Sequence, residues 1–176
     1  PLIKRLAIAV DRGDAEAIAG AINSGADVNS RGTQGYCLLF WAIARNNARG
    51  FEALLAQGAD LEADYREEKF LPDASYNVSV LRVALSCNKP DYLRAALRDG
   101  LDPNHVPHAV DGMTLMFIAA QAKAMATMEV LLDAGADINR QDVSGYTPMV
   151  AAMMRRDYNT AWFLLQHGAD PTIKDE

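Results

Sequence analysis

One tripeptide, Gly-Ala-Asp or a near variant, returns five times along this chain: Gly25-Ala26-Asp27, Gly58-Ala59-Asp60, Gly100-Leu101-Asp102, Gly135-Ala136-Asp137 and Gly168-Ala169-Asp170. The glycines stand 33, 42, 35 and 33 residues apart. Self-similarity at such a period marks a stack of like units rather than a core closed once. Seven, four and three residues before each glycine lie Ile18/Ala21/Ile22, Phe51/Leu54/Leu55, Leu93/Ala96/Leu97, Met128/Leu131/Leu132 and Ala161/Leu164/Leu165. Every set is apolar at i, i+3 and i+4, one stripe of a helix. The glycine then supplies the left-handed residue that ends the helix, and the Asp two places on favours a turn through its own backbone.

A second helix precedes the first in each unit. Sixteen residues before the glycines stand Ala9, Ala42, Ala84, Ala119 and Ala152, and three residues earlier Leu6, Leu39, Leu81, Met116 and Met149. A small residue at fixed phase lets neighbouring helices approach, while the apolar residue on the same face fills the layer. Two short helices and a turn per unit predict an all-α solenoid, each layer burying its faces against the next.

These residues resemble the ankyrin repeat family. The fifth unit carries the pattern best, with Asp142, Gly145, Thr147-Pro148-Met149-Val150, Ala151-Ala152, Leu164-Leu165 and Gly168-Ala169-Asp170. The fourth has Asp111-Gly112, Thr114-Leu115-Met116-Phe117, Ala119-Ala120 and Leu131-Leu132 before Gly135-Ala136-Asp137-Ile138-Asn139. The chain departs from the family's T-P-L-H: units two, three and four lack the Pro, all lack the His, and Cys37 and Ser79 stand where Thr is usual. The expected units are 1–29, 30–62, 63–104, 105–139 and 140–176, forming one domain. Unit one, with Lys4 and no preceding turn, is expected to cap one end, and unit five, with Trp162 and Phe163, the other.

Gly35, Asn77, Gly112 and Gly145 each lie 23 residues before the next terminal glycine. The 9-residue excess of the long spacing therefore falls between Asp60 and Asn77, in the turn joining units two and three. In an ankyrin-like solenoid this turn is a finger beside the concave face. Its aromatics Tyr65, Phe70 and Tyr76, set among mixed charges, suit a protein contact. The plain alternative is a tolerated insertion, because lengthening a loop costs little.

The resemblance implies binding of another protein through finger tips and exposed positions of the inner helices. Carried over by position, these are Tyr36, Tyr76, Met113 and Tyr146 on fingers, and Arg45, Met154 and Arg155 on inner helices, with Asp11 also on that face. Tyr, Arg and Met suit such a surface. The alternative for Tyr36 and Tyr146 is that each lies flat on its own turn.

Composition narrows the function classes. Half of the 176 residues are hydrophobic and 23% are charged, an ordinary globular balance. Seventeen basic against 23 acidic residues give a net charge of −6, which disfavours nucleic acid and anionic membrane as partners. Cys37 and Cys87 are too few for a disulfide framework and form no CxxC pair. The first residues, PLIKRLAIAV, lack the apolar run of a leader. The expected compartment is the cytoplasm, or the periplasm or exterior if a leader has been removed before Pro1.

His105 and His108 are the one candidate metal pair, without the helical spacing or the Glu of H-E-x-x-H. His167, just before Gly168, reads as a helix-end residue. No GxGxxG, GxxxxGK[ST] or GxSxG occurs. The expectation is a non-enzymatic, cofactor-free monomer that binds a partner protein, as a scaffold or alternatively as an inhibitor or immunity-type protein covering an active site. An enzyme or metal protein using His105 and His108 is the remote alternative.

Overall fold

The computed structural model describes residues 2–32, 35–65, 78–107 and 112–173. Among these, ten helices run α1 (Leu2–Arg12), α2 (Ala15–Asn23), α3 (Leu38–Ala44), α4 (Ala48–Leu55), α5 (Val80–Ser86), α6 (Pro90–Arg98), α7 (Leu115–Gln121), α8 (Met125–Asp133), α9 (Pro148–Met154) and α10 (Tyr158–Gln166). They form five consecutive pairs, an inner helix followed by an outer one, in the phase of the tripeptide. The architecture is the all-α repeat solenoid. Two-residue strands β1 (Asp64–Tyr65) and β2 (Val78–Ser79) pair antiparallel between α4 and α5, Asp64 opposite Ser79 and Tyr65 opposite Val78. Packing divides the chain into two compact units, Pro1–Val83 and Ala84–Glu176.

The periodic residues are the core. Ala9, Ala42, Ala84, Ala119 and Ala152 are all buried, as are Leu6, Leu39, Leu81 and Met116, while Met149 is half-buried. All five terminal glycines take positive φ, between 79° and 105°, and end the outer helices in the left-handed conformation. Twelve residues before each of them stands another left-handed residue, which ends the inner helix: Gly13, Asn46, Asn88, Lys123 and Arg156, with φ of 49–65°. Gly and Asn accept this conformation readily, whereas Lys and Arg hold it at a cost.

In the first unit, Asn47 joins two repeats with one amide. Its Oδ1 accepts the Gly50 N–H at 2.9 Å and so caps α4. Its Nδ2 donates to the carbonyls of Val10 and Asp11, 2.9 Å each, at the C-terminal end of α1. The helices meet closely here: a Cβ on Gly50 would stand 2.5 Å from the Val10 carbonyl oxygen. Glycine at this point of α4 is required by contact.

In the second unit, Ala124 at the start of α8 offers no capping side chain. Asn88, one repeat earlier, supplies it: its Oδ1 accepts the Thr127 N–H at 3.2 Å and the Thr127 hydroxyl at 3.3 Å. Thr114 and Thr147 cap α7 and α9 within their own repeats.

Every terminal Asp closes the expected turn, its Oδ1 accepting the N–H two residues on at 2.8–2.9 Å. Where that next residue is Asn, its side chain reaches into the following repeat. Asn29 Oδ1 accepts the Asp60 N–H at 2.9 Å in the first unit. Asn104 takes the Asp137 N–H at 2.7 Å and Asn139 the Asp170 N–H at 2.8 Å in the second. Within each unit, neighbouring turns are thus tied by one repeated hydrogen bond.

Candidate functional site

The inner helices and fingers of each unit present their own surface. In the first unit, Tyr36 is half-buried and stacks on Phe40, ring centroids 4.8 Å apart and planes 13° apart. The four-residue interval places both rings on one side of the finger–α3 junction. The next residue, Trp41, is 41% exposed, and Arg45 holds its guanidinium 5.7 Å from the indole centroid. Arg45 also bonds Asp11 of α1, Nε to Oδ1 at 2.7 Å and Nη2 to Oδ2 at 3.5 Å. The forked pair fixes the guanidinium plane across two repeats. Ile3 and Ile8, 33 residues before Tyr36 and Trp41, are 48% and 45% exposed. The surface is therefore aromatic and aliphatic, with a held arginine beside it.

In the second unit, Met113 and Tyr146 are half-buried, and Met154 and Arg155 are exposed. Asp142 Oδ1 shapes the last finger by accepting the N–H groups of Ser144 and Tyr146, 2.9 Å each. The two fingers touch, since a Cβ on Gly112 would stand 2.5 Å from Val143 Cγ1. Below them, Lys123 Nζ lies 3.5 Å from Asp157 Oδ2. Asp157 is buried and caps α10: it accepts the Thr160 hydroxyl at 2.7 Å and the Thr160 N–H at 3.4 Å. The Thr160 hydroxyl chiefly holds its carboxyl below the usual carboxylate range, against the opposing effect of burial and with help from Lys123.

Of the sequence-derived surface residues, Tyr36 and Arg45 fall in the first unit's cluster, and Met113, Tyr146, Met154 and Arg155 in the second unit. Phe70, Tyr76 and the side chain of Tyr65 lie outside the described residues, as does His108. Among the described residues no group of three or more His, Cys, Asp or Glu side chains is arranged to hold a metal ion. His167 sits at the end of α10, its Nδ1 2.7 Å from the Phe163 carbonyl and its ring tilted against that phenyl. Trp162 is 60% exposed. Cys37 is buried and Cys87 exposed, both with free thiols, and burial pushes the Cys37 thiol above its ordinary value.

Trp41 and Phe40 are the surface residues that position-matching passes over. Trp41 shares its place with Ile8, Val83, Ile118 and Ala151, apolar in every repeat, and so reads as core from the sequence. The available signal is its spacing of four from Arg45, which puts ring and guanidinium on one helical face.

Among the described residues no helix is long and apolar enough to cross a membrane. The model of the family described as ankyrin repeats (3 copies) matches residues 81–175, just over half of the chain. The chain is 33% identical over 135 residues to Protein PhlB of Serratia liquefaciens, covering 76% of this chain and 54% of PhlB. It is 28% identical over 135 residues to Ankyrin repeat and SOCS box protein 6 of Homo sapiens, covering 72% and 30%. A shorter match, 35% over 72 residues, joins it to ADP-ribosylation factor GTPase-activating protein AGD2 of Arabidopsis thaliana, covering 41% and 9%. The chain thus spans about half of the first of these relatives and less of the others. With the helix pairs, the glycine-ended turns and this match in one register, the chain belongs to the ankyrin repeat family, whose repeats serve as protein–protein interaction modules.

Proposed function

We propose that this chain is a non-enzymatic binding module that grips a partner protein with the inner-helix and finger residues of each unit. The observation that carries the reading is the exposed Trp41 under Arg45, with Arg45 paired to Asp11. A rigid aromatic beside an oriented guanidinium is the composition of an interface anchor, and its preformed geometry reduces the ordering cost of binding. Tyr36 adds to this surface in the first unit, and Met113, Tyr146, Met154 and Arg155 give the second unit a surface of its own. Tyr65, Phe70 and Tyr76 are proposed as further contact residues on their sequence position alone. The net charge of −6 favours a partner with a basic face, since complementary charge speeds encounter. An inhibitor covering a basic active-site cleft is the specific form of this reading, and the partner's identity decides between inhibitor and scaffold.

The test is affinity capture from the native source with three baits: wild type, Tyr36→Ala/Tyr146→Ala, and Trp41→Ala. One protein retained in stoichiometric amount by wild type and lost from both variants supports the reading, provided the variants keep the wild-type helical circular dichroism and melting temperature. Equal retention by all three baits excludes this surface.

A further inference from the structure

The outer helix of the last repeat carries a residue that its predecessors do not allow for. Trp162 occupies the place held by Glu52, Arg94 and Glu129 in repeats two to four, all three exposed. Exposure at some places of the repeat depends on what packs on that layer: Met153 is 46% exposed, whereas Ala120 at the matching place of repeat four is 1% exposed. Trp162 is different, because its place faces water in repeats two to four as well. Its indole is 60% exposed, and Tyr158, four residues earlier on the same stripe of α10, is 63% exposed.

Two arginines lead into this helix. Arg155 and Arg156 are both exposed, and no carboxylate among the described residues reaches either guanidinium, although the chain has six more acidic than basic residues. Arg156 stands at the left-handed place that ends each inner helix, φ 56°, as Gly13, Asn46, Asn88 and Lys123 do in the other repeats, and there its side chain is exposed beside the start of α10.

We propose that Arg156, Tyr158 and Trp162, with Arg155 at the rim shared with the inner-helix surface, form a second docking surface for an acidic segment of a partner protein. That segment carries an aromatic or aliphatic anchor beside its carboxylates. The indole and phenol take the anchor, and the planar guanidinium forks take the carboxylates in pairs. The scale of the charge selects a peptide: anionic membranes are read by clusters of about four to eight basic residues, and duplex phosphate by a comparable number. Two arginines on a chain of net −6 match two or three carboxylates.

The experiment pans a phage-displayed library of random dodecapeptides on the immobilised chain and measures the enriched peptides by fluorescence polarisation. The expected consensus combines Asp or Glu with Phe, Trp, Leu or Ile. Binding should fall roughly tenfold or more in Trp162→Gln and in Arg156→Glu, as anchor losses do, and persist in part in Arg156→Lys. The Tyr36→Ala/Tyr146→Ala variant should bind these peptides as wild type does, so failure of the inner-helix reading leaves this one standing and the reverse. Absence of acidic enrichment over the naive library overturns the proposal. So does equal binding to Trp162→Gln, or Trp162-dependent binding to phosphatidylcholine vesicles containing one-third phosphatidylglycerol that exceeds binding to the peptides.

Discussion

A left-handed backbone at Arg156 has a measurable cost. For an L-residue with a Cβ this conformation costs about 1–2 kcal/mol, which glycine avoids at some expense in chain entropy. Arg156→Gly should therefore raise stability by about 0.5–1 kcal/mol, read as a shift in the urea midpoint. Lys123→Gly should gain less, because it also gives up the 3.5 Å approach to Asp157. Asp157 sets an acid limb. Its folded pKa lies below the unfolded one, so its contribution is complete above the unfolded value of about 4 and drains away as pH falls through the folded value. Wild type should melt above Asp157→Asn at neutral pH, with the gap closing as melts are repeated at falling pH below the unfolded value of about 4. At this scale the sequence was half legible. The glycines and aspartates of the tripeptide showed their roles through position alone. Lys123 and Arg156 did not, because their residue type contradicts the conformation that the repeat imposes on them.

Among the inner helices α3, α5, α7 and α9, α3 alone lacks a side-chain cap. Cys37 stands at its N-cap and makes no side-chain capping hydrogen bond, while Thr114 and Thr147 cap the matching helices. Cys37→Thr fits the same buried place and should stabilise by about 0.5–1 kcal/mol. A loss of stability would mean that the burial of sulfur there outweighs the cap. Gly50→Ala should cost about 1–3 kcal/mol, although alanine is the better helix former, because its Cβ meets the Val10 carbonyl. Chemical melts of both variants decide these signs. Helix pairs and turns were readable because their apolar intervals and terminal residues are local. The pairing of Asp64-Tyr65 with Val78-Ser79 was not, as two residues per strand are too few to show alternation. The Asn88 cap on α8 was hidden for another reason: donor and acceptor are 39 residues apart.

For the whole molecule, the repeats predict a single five-repeat domain, and the two tryptophans provide the check. Trp41 lies in the first compact unit and Trp162 in the second. Trp41→Phe and Trp162→Phe each leave one reporter, and a single domain requires both to show the same denaturant midpoint. Midpoints separated by more than the error would make Pro1–Val83 and Ala84–Glu176 independent folding units. The proposed binding surface follows in outline from phase, which sets the finger and inner-helix positions. Its proposed anchor does not, because Trp41 occupies a place that two other repeats bury. The turn-to-turn ladder carries a consequence for biosynthesis. Each Asn amide waits for the N–H of an Asp 31 or 33 residues later, and the Asn88 cap for a threonine 39 later. None of these side-chain bonds requires the far end of the polypeptide. At a synthesis rate of about 5–20 residues per second, the next partner clears the ribosome within a few seconds of the last. The nascent chain can therefore lay down its structure one layer at a time, in the order in which the message is read.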